Sequence, residues 1–166
     1  PLLKAFASAQ QEDKDFEQSL RAPLTALLVN PRFLFRAEHD EPGKDEWPLN
    51  DFEIATRLSY FLWSSMPDRE LFKLADQGKL RDPKILHEQT LRMIANPKFI
   101  ALSRHFAGRW LEFDKMIDQV NPDPKRFPSF TPELRRSMYY ESIEFFTHLI
   151  RENRPITELI NSDYTF

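Results

Sequence analysis

A chain of 166 residues can bury one sizeable core, and 41% hydrophobic with 30% charged residues is the composition of a globular domain rather than a disordered or membrane-embedded one. Three glycines against fifteen phenylalanines leave no Gly-rich phosphate cradle, and a net charge of -3 with a pI near 5.9 argues against nucleic acid as a partner. With no cysteine the chain holds no disulfide, thiolate metal site or haem attachment motif, and its apolar runs are too short for a membrane insertion.

The start, PLLKAF, lacks the pattern of a signal peptide, and the end, SDYTF, carries aromatic residues to its tip. Both predict ends that lie inside a longer polypeptide. Thirteen prolines punctuate stretches of helical spacing, and the reading is all-α: an irregular bundle of about six to eight helices. A short helix is predicted over 2–10 and another over 15–30. The second has Phe16, Leu20, Leu24, Leu27 and Leu28 on one inward face, and Pro23 kinks or breaks it.

The charged stretch AEHDEPGKDEWP reads as a loop. It joins an amino-terminal helical hairpin (1–38) to a main module (48–166), and the two are expected to form one compact unit. Asn50 with Glu53 has capping-box spacing, opening a helix from about 50 to 64 with Ile54, Leu58, Phe61 and Leu62 turned inward. Ser64 or Ser65 then caps the next helix, with Pro67 in its first turn, Leu71, Leu74 and Ala75 on its inner face and Gly78 at its end.

Asp82 with Pro83, Asn96 with Pro97 and Thr131 with Pro132 repeat the same opening. LLVNPRFLF and MIANPKFIA resemble each other, and shared cap chemistry explains this more simply than an internal repeat. A long proline-rich connection, QVNPDPKRFPSFTPE, precedes a long C-terminal helix striped by Leu134, Met138, Tyr139, Ile143, Phe146 and Ile150.

IATRLSYFLWSSMPDRELFKLADQGKLRDP, FAGRWLEF, DPKRFPSFTPELRRSMYYES and NRPITELINSDYTF together resemble a helical module of unknown function from the planctomycete-type multidomain, c-type cytochrome-containing proteins. DFEQSLRAPLTALLVNPRFLFRAE resembles the end of the module that precedes it. The resemblance implies a periplasmic or cell-envelope setting, a main module truncated at its C-terminal end, neighbouring modules of the same polypeptide as partners, and haem c elsewhere in the parent protein. Within this chain no cofactor is expected.

Glu141, Glu144 and His148 are spaced three and four apart, so they line one helical face. With His105 and Glu112 from another helix they could hold a divalent metal, though no HExxH or paired ExxH motif accompanies them. A solvated flank is the favoured reading, and an ion pair of Arg57 with Glu141 holding two helices in register is a third. Ser59, Ser64 and Ser65 lack a nucleophile motif and read as capping residues. Tyr60, Trp63, Trp110 and Phe113 could stack on a sugar or haem edge, with helix packing as the default. Lys125, Arg126, Arg135 and Arg136 form a modest basic patch, read as solvated.

No catalytic or cofactor-binding residue is therefore assigned. The expected role is a structural or interaction module without independent catalysis. The alternative is one part of a redox or carbohydrate-processing site completed by haem-bearing neighbours.

Overall fold

The computed structural model describes residues 2–11, 15–35, 38 and 42–166, and among them the chain is helical with no strand. Its contacts fall into two compact units, Pro1–Leu49 and Asn50–Phe166. Among the described residues seven helical rods of eight residues or more, counting one composite helix, lie within the range expected from the sequence.

In the first unit α1 (Leu2–Gln11) packs on α2 (Phe16–Leu28), and a short α3 (Pro31–Leu34) follows. Asp15 caps α2 by accepting from the Gln18 N–H at 2.7 Å. The helix continues past Pro23 without a break. The inward face expected for α2 is a correction: Phe16, Leu24, Leu27 and Leu28 are exposed, while Ala9 and Ser19 are buried. Small residues let two helix backbones approach, and one partner helix is too narrow to cover so wide an apolar stripe. In the expected loop, 37 and 39–41 lie outside the described residues, and 42–49 holds no helix, turning at Gly43 with φ +87°.

In the second unit the capping box forms as the spacing predicts. Asn50 Oδ1 accepts from the Glu53 N–H at 3.0 Å, and Glu53 accepts from the Asn50 N–H at 2.8 Å, opening α4 (Asp51–Trp63). The next cap differs from expectation. Ser64, at φ 50°, terminates α4 in the left-handed region, and Asp68 caps α5 (Arg69–Asp76) by accepting from the Leu71 N–H at 3.0 Å. Pro67 is buried just ahead of that helix. Gly78, at φ +64°, closes α5 with Lys79 N–H donating to the Leu74 carbonyl.

Asp82 and Pro83 open α6 (Pro83–Ala95), and Asn96 and Pro97 open a 3-10 turn (Pro97–Phe99) that leads into the composite α7, residues 100–110. Its middle, Ser103–Ala107, is a π-helical turn. After the irregular proline-rich connection, Thr131 caps α8 (Pro132–Arg151), and the short α9 (Glu158–Asn161) lies near the end. The two NP-F segments share local form but not burial, since Phe33 is exposed and Phe99 is fully buried.

Two apolar clusters make the core of this unit. One gathers Leu62, Trp63, Leu71, Leu80, Met93 and Phe99 from α4 to the start of α7. The other sets Ala107 and Phe113 against Ile143 and Phe146 of α8. Ile150 packs on both clusters, so α8 ties them together. Its amino-terminal stripe is only partly used, because Leu134 and Met138 remain exposed.

Polar ties close the corner where α4, α5 and α6 meet. Asp51, buried, accepts from the Leu80 N–H at 2.7 Å and from Arg81 Nε at 3.0 Å. Burial alone would raise its pKa, but these hydrogen bonds outweigh it and hold the carboxyl below the ordinary 3.8. Asp68 follows the same logic: burial opposes, and the Arg92 guanidinium with the Leu71 N–H prevails to lower it. Trp63 Nε1 donates to the Met93 carbonyl at 3.0 Å, with Lys98 and Arg92 over its ring at 5.1 and 5.7 Å. Arg151 of α8 donates to the Ile94 and Asn96 carbonyls, closing the carboxyl end of α6.

Candidate functional site

The exposed chemistry of the second unit concentrates where α7 meets α8. A π-helical turn carries an extra residue, and each residue added shifts the following side chains by about 100° around the axis. It is pinned from inside: Ser103 and Thr147, both buried, share a hydrogen bond of 2.6 Å between their hydroxyls, and Thr147 donates to the Ile143 carbonyl. Beyond that anchor, Phe106 and Trp110 stand at the surface beside Phe61 of α4.

The ring centroids are 6.3 Å apart for Phe61 and Phe106 and 5.8 Å for Phe106 and Trp110. Phe106 and Trp110 both rest on Phe146, at 6.4 and 6.5 Å. Phe146 is only 4% exposed, whereas Phe61, Phe106 and Trp110 are 58%, 47% and 54% exposed. The result is a four-ring stack whose floor belongs to the core and whose top faces outward. Arg104, His105 and Arg109, neighbours of these residues along α7, are also exposed. The inward position expected for Phe61 is thus corrected, and Trp110 departs from its default as a packing residue.

A second feature lies against the other side of α8. Leu111, Phe113, Glu141, Ser142, Phe145, Leu159, Ser162 and Tyr164 line a cleft of about 420 Å³. Phe145, His148, Tyr164 and Phe166 form a second aromatic group, with centroids 5.1 to 6.2 Å apart. Glu158 accepts from Tyr164 at 2.6 Å and pairs with Arg154 at 2.8 Å. The bonds from Tyr164 and Arg154 lower the Glu158 pKa, and the bond to Glu158 raises that of Tyr164.

The remaining sequence candidates take separate places. Glu141, half-buried, accepts from the Thr165 hydroxyl, Glu144 is exposed, and His148 stacks on Tyr164 and Phe166. Glu112 pairs with Lys115 at 2.7 Å, and His105 is exposed. Among the described residues no three His, Asp or Glu side chains form a metal-ligating group. Arg57 is exposed on α4, so any pair it makes with Glu141 is a surface pair.

Ser59, fully buried, donates to the Ser65 carbonyl at 2.7 Å, which makes it an internal tie of the helix corner rather than a nucleophile at a surface. Trp63 and Phe113 are core residues, and Tyr60 is half-buried. In the basic patch, Arg135 departs from a solvated role. It donates to the Ile117 carbonyl and to Asn121 and lies over Phe130 at 5.4 Å, fastening the proline-rich connection to α8. No helix among the described residues is long and apolar enough to cross a membrane.

The family model for PSD4, protein of unknown function (DUF1592), matches residues 49–166. The chain belongs to this family. The matched span covers the second compact unit, so both the ring stack and the cleft are features of a PSD4 domain. No curated protein and no solved structure matches the chain.

Proposed function

We propose that this PSD4 domain is a helical interaction module of a large exported protein that carries c-type haem in other modules, and that it docks its neighbours through the Phe61, Phe106 and Trp110 surface. The observation that carries this reading is the ring stack itself. Three large rings are half exposed yet continuous with the core through Phe146. Interface centres favour such aromatic anchors because they desolvate much apolar area at little cost in side-chain entropy. The exported, haem-bearing parent and the periplasmic or cell-envelope setting rest on the sequence resemblance. A chain without cysteine leaves covalent haem attachment to other modules.

The test is to express the flanking segments of the parent polypeptide separately and titrate them against this domain by calorimetry. Binding that weakens about tenfold or more, a cost of at least about 1.4 kcal/mol, in F106S/W110S supports the reading. Unchanged binding in that variant removes the ring stack as the docking surface.

A further inference from the structure

The cleft beside α8 has a one-sided hydrogen-bonding character. Ser142 donates its hydroxyl proton to the Met138 carbonyl at 2.9 Å, Tyr164 donates to Glu158 at 2.6 Å, and Thr165 donates to Glu141. Ser142 retains lone pairs for a ligand and Glu141 adds a second carboxylate oxygen, while the Tyr164 oxygen is shared with the Arg154 guanidinium, which donates to it. Ser162 is the one lining hydroxyl whose proton is not committed to a partner among the described residues. The walls include the rings of Phe113, Phe145 and Tyr164, whose π-electron faces attract positive charge.

Among the described residues no Lys or Arg lines the cleft, and Arg154, which adjoins Tyr164, is held by the Glu158 carboxylate at 2.8 Å. The combination selects by charge and by hydrogen-bond sense. An anionic ligand would meet the Glu141 carboxylate without a counter-charge. A neutral sugar, whose hydroxyls accept as well as donate, would find Ser162 as its single uncommitted side-chain donor. A protonated amine has only donors and a positive charge, and it meets acceptors, a carboxylate and aromatic walls. The volume of about 420 Å³ falls in the range of small-ligand sites, roughly 300–1,000 Å³.

We infer that this cleft binds an organic ammonium group, supplied by a free small amine or by a lysine side chain of another protein segment. The inference is independent of the docking role of the ring stack, which lies on α4 and α7.

The test uses the native protein and follows the aromatic NMR signals of Phe145 and Tyr164. The probes are 1,5-diaminopentane, Nα-acetyl-lysinamide and, as the uncharged control, 1,5-pentanediol. Saturable shifts with either amine and none with the diol are expected, with Phe61 and Trp110 unmoved. The tighter of the two amines distinguishes a free ligand from a protein side chain. In E141Q, where the amide oxygen can still accept from Thr165, amine affinity is expected to fall about tenfold. Equal shifts with the diol, no shift with either amine at millimolar concentration, or full affinity in folded E141Q would overturn the inference.

Discussion

The α4–α6 corner and the α7–α8 end of the PSD4 domain use similar residues to opposite effect. At the corner, charged and aromatic side chains face inward and are satisfied: Asp51 by Leu80 and Arg81, Asp68 by Arg92, Trp63 by Met93. At the other end a hydroxyl pair anchors a π-helical turn, and large rings above it face outward. A buried polar group left unpaired is expensive, and apart from the Ser65 hydroxyl, buried without a hydrogen-bond partner among the described residues, the corner is built as a closed unit that fixes the fold. The exposed rings contribute less to stability, and that leaves them available for binding.

If this contrast holds, substitutions should rank by region. Phe99→Ala, at a fully buried ring of the corner, should cost about 3–5 kcal/mol in denaturant unfolding. Asp51→Asn should follow at about 1.5–3 kcal/mol, because it removes a charge-assisted tie from the Leu80 N–H and Arg81. The same variant has a pH signature. The folded-state pKa of Asp51 is depressed, so its stabilisation is fully present above the ordinary carboxylate value of 3.8 and is lost as pH falls below it. Asp51→Asn should therefore lose less stability than the native protein on acidification through that window. A parallel acid profile for both would remove Asp51 from the account.

Ser103→Ala sharpens the boundary between the two regions. It strips the buried partner from Thr147 beneath the π-helical turn and should cost about 1–2 kcal/mol, while raising amide exchange across 103–107. Trp110→Ser should cost least, about 1 kcal/mol or less, because the ring is already more than half exposed. A Trp110→Ser penalty as large as that of Phe99→Ala would erase the distinction between closed and open regions.

The fold was legible where chemistry is local. Asn50 with Glu53, Asp82 with Pro83 and Thr131 with Pro132 announce helix starts because the cap partner lies two or three residues away. Asp68 was harder to place, since Ser64 and Ser65 carry equivalent capping groups. What separates them is that Asp68 also meets Arg92, twenty-four residues on, a contact no local pattern contains. Arg135 and Arg151 were illegible for the same reason, as their partners are carbonyls of distant segments.

The candidate site was legible only in part. Periodicity places Phe61 on the inward face of its helix, yet it is 58% exposed, because spacing cannot say whether the surface that covers an apolar side chain belongs to the same unit. The π-helical turn that sets the face of α7 has no signature in residue spacing. Glu141 was singled out for a metal or an ion pair. The structure places it in a cleft with Phe145 and Tyr164, a grouping that depends on the C-terminal segment returning to α8.

Side-chain footprinting of the ring stack tests the central claim most directly. Hydroxyl-radical labelling of Phe61, Phe106 and Trp110, read by mass spectrometry, should be strong in the isolated domain and fall sharply in the longer parent polypeptide. Phe99 should be weakly labelled in both. Equal labelling of the three exposed rings in the two forms would contradict their role as a docking surface.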